Sequence, residues 1–408
     1  MQIKSFNFVN ILILSTVLGL FSPFFAKDFF KVKESIEESS WRKIGFIYIK
    51  PSLMIRDVGY SSNIYSYEKS KNPDWTADLG ASFIFSSILG NRFIIRVTDT
   101  PYYSFYLHNK KQENFNNRLK ADLITYFGNI NIHYSYSGGR FKTRPTSEFG
   151  AKTVIRNLSH NISLDLGRQN SLFFTIYLKN NRILFEDINY LDDYDLSGTM
   201  DRIANTIGGA VNIPIFTRTH ISFHFDYFDN NFLNNSLRNG FGRKAYTQIE
   251  FPEIGIIKGR FSIGMKYFNP SEKDAEEYLK PVGSGNVSIR LFRKLNLLLG
   301  YTIDNHYSFS QSDAYFDTRS FSIGTNFYLT RFLRIGYRFS NINNKYRLIS
   351  DESLVRSDSW VSSDATVVFR IKRNLGFGIK YTNFSGRSTN LDFVRNYSFI
   401  GGYITHEF

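Results

Sequence analysis

The chain reads as an all-β protein, a transmembrane antiparallel up-and-down β-barrel of about eighteen strands. Three observations predict this. Stretches in which every second residue is apolar recur along the sequence, as in Phe261-Ser-Ile-Gly-Met-Lys-Tyr267, Ile221-Ser-Phe-His-Phe-Asp-Tyr227, Leu333-Arg-Ile-Gly-Tyr-Arg-Phe339 and Leu375-Gly-Phe-Gly-Ile-Lys-Tyr381; a period of two means strands with one wet and one apolar face. Aromatics make up 17% of the 408 residues although only 42% are hydrophobic, which fits apolar side chains pointing outward and polar ones filling an interior. Beyond the amino terminus no apolar run is long enough to cross a membrane as a helix. The chain has no cysteine, which excludes disulfides, thiolate metal sites, a cysteine nucleophile and a lipid-anchoring cysteine.

Taken in order, residues 1–26 combine an early Lys4, an apolar stretch from Phe8 to Phe21, Pro23 and Ala26 before Lys27, the layout of a secretory signal peptide. Residues 27–44 form a periplasmic leader. Phe29, Phe30, Val32, Ile36 and Trp41 stand either as one stripe of a short helix or plug, or as part of a disordered segment. The barrel occupies 45–408. Eight short connections are expected at Ser87–Asn91, Phe127–Asn129, Gly167–Asn170, Phe216–His220, Ile257–Gly259, Phe292–Leu295, Thr330–Arg331 and Lys372–Leu375. Nine longer polar segments alternate with them: Ser61–Pro73, Asn109–Asn116, Gly138–Glu148, Asn180–Ser197, Asp229–Arg243, Pro270–Pro281, Asp304–Asp317, Asn341–Ser357 and Ser385–Leu391. Together they require about eighteen strands, with sixteen as the alternative because Ile203–Ile213 and Val282–Ile289 are poorly patterned. Short turns belong in the periplasm and long loops outside.

Hydrocarbon leaves no partner for an open sheet edge, so the strands must close on themselves. Pro51, Pro214 and Pro252 cannot donate to a ladder and are expected near strand ends or bulges. Tyr and Phe clusters such as Tyr102-Tyr103 and Tyr267-Phe268 suit aromatic girdles at the two interfaces. The last strand, Phe393 to Phe408, should pair with a first strand starting near Gly45. Its terminal Phe408 fits the signal read by the outer-membrane assembly machinery.

Function must be read from the inward face. In the clearly alternating strands the residues between apolar ones include Arg96, Lys266, Arg290, Arg334, Arg338, Arg370 and Lys380, against Asp226 and Asp364. The whole chain carries 50 Lys plus Arg against 36 Asp plus Glu, a net charge of +14. A water-filled lumen with such a lining concentrates anions; alternatively Arg290, Arg334 and Arg370 merely solvate the periplasmic rim. No nucleic-acid motif accompanies the dispersed basic residues. His220 and His224 lie about 13 Å apart along a strand, too far to share a metal, and no histidine stands in a nucleophile or metal spacing. The acidic loop around Glu186 to Asp195 reads as a solvated outer loop rather than a Ca²⁺ site. Neither an enzyme nor a cofactor is expected.

Pro51-Ser-Leu-Met-Ile-Arg-Asp-Val-Gly-Tyr60 followed by Ser61-Ser-Asn-Ile-Tyr65 resembles the opening of outer-membrane β-barrel porins encoded with exopolysaccharide synthesis and export systems. There a strand leads into a Tyr-x-Ser-Asn-aliphatic-aromatic motif, here Tyr60, Ser62 and Asn63. Asn63 suits a turn that tolerates left-handed backbone geometry. The resemblance implies passage of a polysaccharide across the outer membrane of a Gram-negative-type bacterium, and an electropositive lumen would suit an acidic one. The expected partners are outer-membrane lipids, the assembly machinery and an anionic solute or polysaccharide. The alternative is a closed structural or surface-interaction barrel.

Overall fold

The computed structural model describes residues 26–66, 71–144, 152–167, 171–186, 195–216, 219–271, 277–292, 294–308, 313–348, 356–372, 374–390 and 394–407. The expected signal peptide, apart from Ala26, and Phe408 lie outside the described residues. The strands are β1 (Arg42–Ile44), β2 (Ile47–Ser61), β3 (Asp74–Leu89), β4 (Phe93–Asp99), β5 (Tyr102–Tyr106), β6 (Asn114–Phe127), β7 (Ile130–Thr143), β8 (Thr153–Gly167), β9 (Phe173–Glu186) and β10 (Arg202–Phe216). They continue with β11 (Thr219–Phe232), β12 (Gly240–Ile254), β13 (Ile257–Pro270), β14 (Tyr278–Leu291), β15 (Leu295–Tyr307), β16 (Asp313–Tyr328), β17 (Leu333–Leu348), β18 (Ser357–Lys372), β19 (Leu375–Ser388) and β20 (Arg395–Glu407).

These make one closed antiparallel barrel of eighteen staves. Three strands are not staves of their own: β1 only folds back on β2, and β4 and β5 form one stave interrupted at Pro101. The ladder survives that interruption because Thr100 N–H donates to Arg118 O and Ala81 N–H to Pro101 O. The barrel closes where β2 meets β20, from Ser52 opposite Glu407 to Ser61 opposite Phe399. Prolines sit where donors are dispensable. Pro51 precedes the β2–β20 ladder, and Pro214 borders a register shift. Pro252 falls inside another.

The two faces follow the alternation. Leu53, Phe83, Ile95, Leu123, Ile162, Ile176, Phe225, Ile263, Tyr301, Ile323, Tyr337, Ile379 and Ile400 are all exposed on the outside. A closed sheet with such a belt satisfies every backbone group internally while offering hydrocarbon only apolar side chains.

Strand ends depart from the sequence reading in one direction. The loops expected to start at Gly138, Asn180, Asp229, Asp304, Asn341 and Ser385 begin later, since the strands run on to Thr143, Glu186, Phe232, Tyr307, Leu348 and Ser388. Strands of 14 to 16 residues are about 48–54 Å long, more than an apolar band about 25 Å tall demands even when tilted. Above the hydrocarbon the ladder continues while the outward face turns polar, so polarity announces water rather than a loop. One short turn is also displaced: it falls at Gly255–Ile256, where Gly255 has φ +59°, instead of Ile257–Gly259.

The segment before the barrel is ordered. Helix α1 (Ala26–Ser39) buries Phe29 and Ile36 against Tyr48 and Ile94, with Val32, Ile88, Ile124 and Tyr126 around them. Those wall residues lie on inward positions of β2, β3, β4 and β6, so the helix sits inside the periplasmic mouth. Phe29 meets Tyr126 edge-on at 5.3 Å, and Tyr48 Oη donates to Glu37 Oε1 at 3.1 Å. Trp41 does not join the stripe; it follows the helix and is 54% exposed.

Candidate functional site

The lumen is narrowed at both ends and opens into cavities between them. On the extracellular side a five-residue helix, α2 (Leu196–Met200), begins after Asp195, whose Oδ1 accepts the Gly198 N–H at 2.6 Å. Leu196 and Met200 are buried against Ile155 and Phe185, with Tyr65, Ile183 and Tyr307 beside them. Arg238, from the β11–β12 connection, holds this arrangement. Its Nη1 donates to Thr199 O at 3.0 Å and its Nη2 to Ser308 O at 2.6 Å. One guanidinium thus ties three extracellular connections together in a fixed fork. Burial raises the Tyr65 phenol pKa, so Tyr65 stays a neutral hydroxyl and accepts from Gln112 Nε2 at 3.1 Å.

Beneath this constriction two cavities occupy different walls. The smaller, about 190 Å³, lies beside the closing seam and is lined by Arg144, Lys152 and Lys380 with Asp57, Tyr106 and Tyr397. Arg144 stacks over the Tyr397 ring at 4.6 Å and donates to Ser66 Oγ at 2.7 Å. Lys152 Nζ is 3.5 Å from Tyr106 Oη. The larger, about 660 Å³, lies across the lumen; Arg202, Lys244 and Lys266 face Asp226 and Asp304 there. Its charges are partly spent on one another, as Lys266 Nζ lies 3.2 Å from Asp304 Oδ1. Asp226 also accepts the Tyr177 hydroxyl.

The seven basic residues singled out from the sequence all fall on inward register positions, but they do not assemble. Arg290, Arg334 and Arg370 stand at the periplasmic strand ends. Arg96 lies opposite Asp122 near the α1 mouth. Arg338 lies opposite Asp364, which accepts from Thr382 Oγ1 at 2.6 Å. Lys266 belongs to the large cavity and Lys380 to the small one. The inner wall also carries acids that alternation alone did not expose: Asp122 is engaged by Lys120 and His133, and Glu250 by Arg260. Sequence reasoning missed Arg144 and Lys152 because both flank the strand segments in which parity is readable.

The Tyr60, Ser62 and Asn63 motif closes the seam. Ser62 N–H donates to Ser398 O at 2.9 Å, and Ser62 Oγ accepts the Ser398 N–H at 2.8 Å. Asn63 is 1% exposed; its Oδ1 accepts from Ser66 N–H at 3.1 Å and its Nδ2 donates to Asn396 O at 3.3 Å. Tyr60 faces outward beside Trp75. The left-handed residue is Ser66, at φ +64°, not Asn63. Asn63 acts through its side-chain amide, bracing the turn and the last strand together.

No protein-family model matches the sequence, and no curated protein does. Among solved structures the barrel is similar to OccK3 (OpdO) of Pseudomonas aeruginosa, with a TM-score of 0.51 at 11% identity over 88% of this chain and 95% of that one. OccK2 (OpdF) of the same organism gives 0.51 at 14% over 88% and 97%. Acinetobacter baumannii OccAB3 gives 0.50 at 12% over 88% and 99%. The shared property is the fold, an outer-membrane barrel. With its closed ladder and apolar belt this chain is a transmembrane β-barrel.

Proposed function

We propose that the protein is a porin-like pore that passes anionic or saccharide solutes across the outer membrane. The observation that carries this reading is the seam-side cavity, where Arg144, Lys152 and Lys380 share one small space and Asp57 is the one acid among its described lining residues. Fixed cations in a confined lumen concentrate anions, and tyrosine faces beside them suit sugar rings. The pore-lining roles of Arg96, Lys266, Arg290, Arg334, Arg338, Arg370 and Lys380 belong to the same proposal: those at the rim and mouth raise the local anion concentration, and Lys380 contacts the solute. The resemblance at Tyr60, Ser62 and Asn63 extends the reading to an acidic exopolysaccharide, and transport rather than catalysis is the activity proposed. Planar-bilayer recordings under a KCl gradient test it: the reversal potential should report anion preference, and oligo-uronates should block the current. The Lys152→Gln/Lys380→Gln variant should lose most of that preference. A cation-selective wild type would defeat the reading.

A second reading has its own observation. Helix α1 buries Phe29 and Ile36 in the periplasmic mouth, and a helix that never leaves would make the barrel a closed surface-interaction protein. Recordings on the intact protein separate the two, because only the pore reading expects current with α1 in place; current that appears only after residues 27–40 are removed would favour the closed barrel.

A further inference from the structure

The outer surface carries a feature that transport leaves unused. On β16 to β19 Thr325, Tyr337, Ala365 and Tyr381 lie opposite one another on the lipid-facing side, and the apolar belt runs on to Phe321 on β16 and Phe339 on β17. Toward the extracellular end the same outward face turns polar. One register row there reads Arg319, Asn343, Ser359 and Arg387, with Lys345 two residues beyond Asn343. Arg319, Asn343, Lys345 and Arg387 are exposed. Among the described residues none of the three cations forms an ion pair. The neighbouring acid, Asp317, lies opposite Lys345 and pairs with Lys280 at 2.7 Å. Adjacent strands are about 4.8 Å apart, so the row spans roughly 15 Å just above the hydrocarbon.

We infer that this patch binds the phosphorylated sugar headgroup of an outer-leaflet glycolipid. The level is that of headgroups rather than of bulk solvent. Arginines supply the forked donors that match phosphate oxygens, and Asn343 and Ser359 supply the neutral hydrogen bonds a sugar requires. In the Arg319 to Arg387 row cations flank neutral polar residues, and the acid beside that row, Asp317, is already paired with Lys280. The patch faces away from the lumen, so it stands or falls independently of the pore.

The test uses the full-length protein in detergent, with native mass spectrometry titrating diphosphorylated lipid A, its dephosphorylated form and phosphatidylglycerol. Each cation at a lipid surface contributes about fivefold in affinity. The Arg319→Gln/Lys345→Gln/Arg387→Gln variant should therefore bind lipid A roughly 100-fold more weakly, while the inward Lys380→Gln control binds normally. Binding by the wild type should also weaken with salt. Heat-modifiable gel mobility shows whether the triple variant folds; if it does not, Arg387→Gln alone should lose about fivefold. Undiminished binding by either variant would overturn the inference. So would equal wild-type affinity for the dephosphorylated lipid or for phosphatidylglycerol.

Discussion

The two ends of the lumen are closed by opposite kinds of chemistry. The extracellular constriction is a polar knot, in which Arg238 donates to carbonyls on two other connections while Leu196 and Met200 fill the space behind. The periplasmic mouth is held by one apolar face of one helix, chiefly Phe29 and Ile36. A knot of three connections cannot open without breaking the hydrogen bonds of a buried guanidinium to two carbonyls. A helix docked by two side chains, worth about 1.5–3 kcal/mol each, can leave as a unit. The difference teaches that the outer end is a fixed narrowing and the inner end is where opening is energetically accessible.

Removing residues 27–40 should break the comparison most severely, raising single-channel conductance several-fold while heat-modifiable mobility stays that of a folded barrel; unchanged conductance would place the narrowest point at the outer end. Arg238→Ala should cost about 2–3 kcal/mol in denaturant unfolding and speed limited proteolysis between residues 187 and 201. Phe29→Ala/Ile36→Ala, a milder form of the deletion, should lengthen open dwell times without altering ion selectivity. Asn63→Ala should have the smallest effect, about 1–2 kcal/mol from the lost side-chain hydrogen bonds, seen as a lower unfolding temperature with the conductance of folded molecules unchanged.

The strand number, and the facing of side chains in the clearly alternating strands, were legible because hydrocarbon outside and water inside impose a period of two. Strand ends were not legible. Asn341, Asn343 and Lys345 continue β17 above the membrane, where the pattern has no apolar phase to display. Parity gives a charge's face and not its height: Lys380 and Arg370 share a parity, yet one lines a cavity and the other stands at the rim. Height depends on register and tilt, which arise only when distant strands pair. The seating of α1 was hidden for the same reason, since Tyr48, Ile94 and Tyr126 become one surface only in the closed sheet.

The seam at Ser62 and Asn63 also bears on how the barrel is made. β2 emerges first and β20 last, so the edge of β2 waits unpaired until every other stave is in place. A slip of one residue in that final ladder would turn the outward set of β20 toward water and its inward set toward lipid. Two features resist such a slip. Gly59 brings its backbone so near Ile400 O that a Cβ there would clash with it, and the side chains of Ser62 and Asn63 find Ser398 and Asn396 only in the native alignment. The motif is therefore a proofreading mark, a check on alignment made at the moment the cylinder shuts.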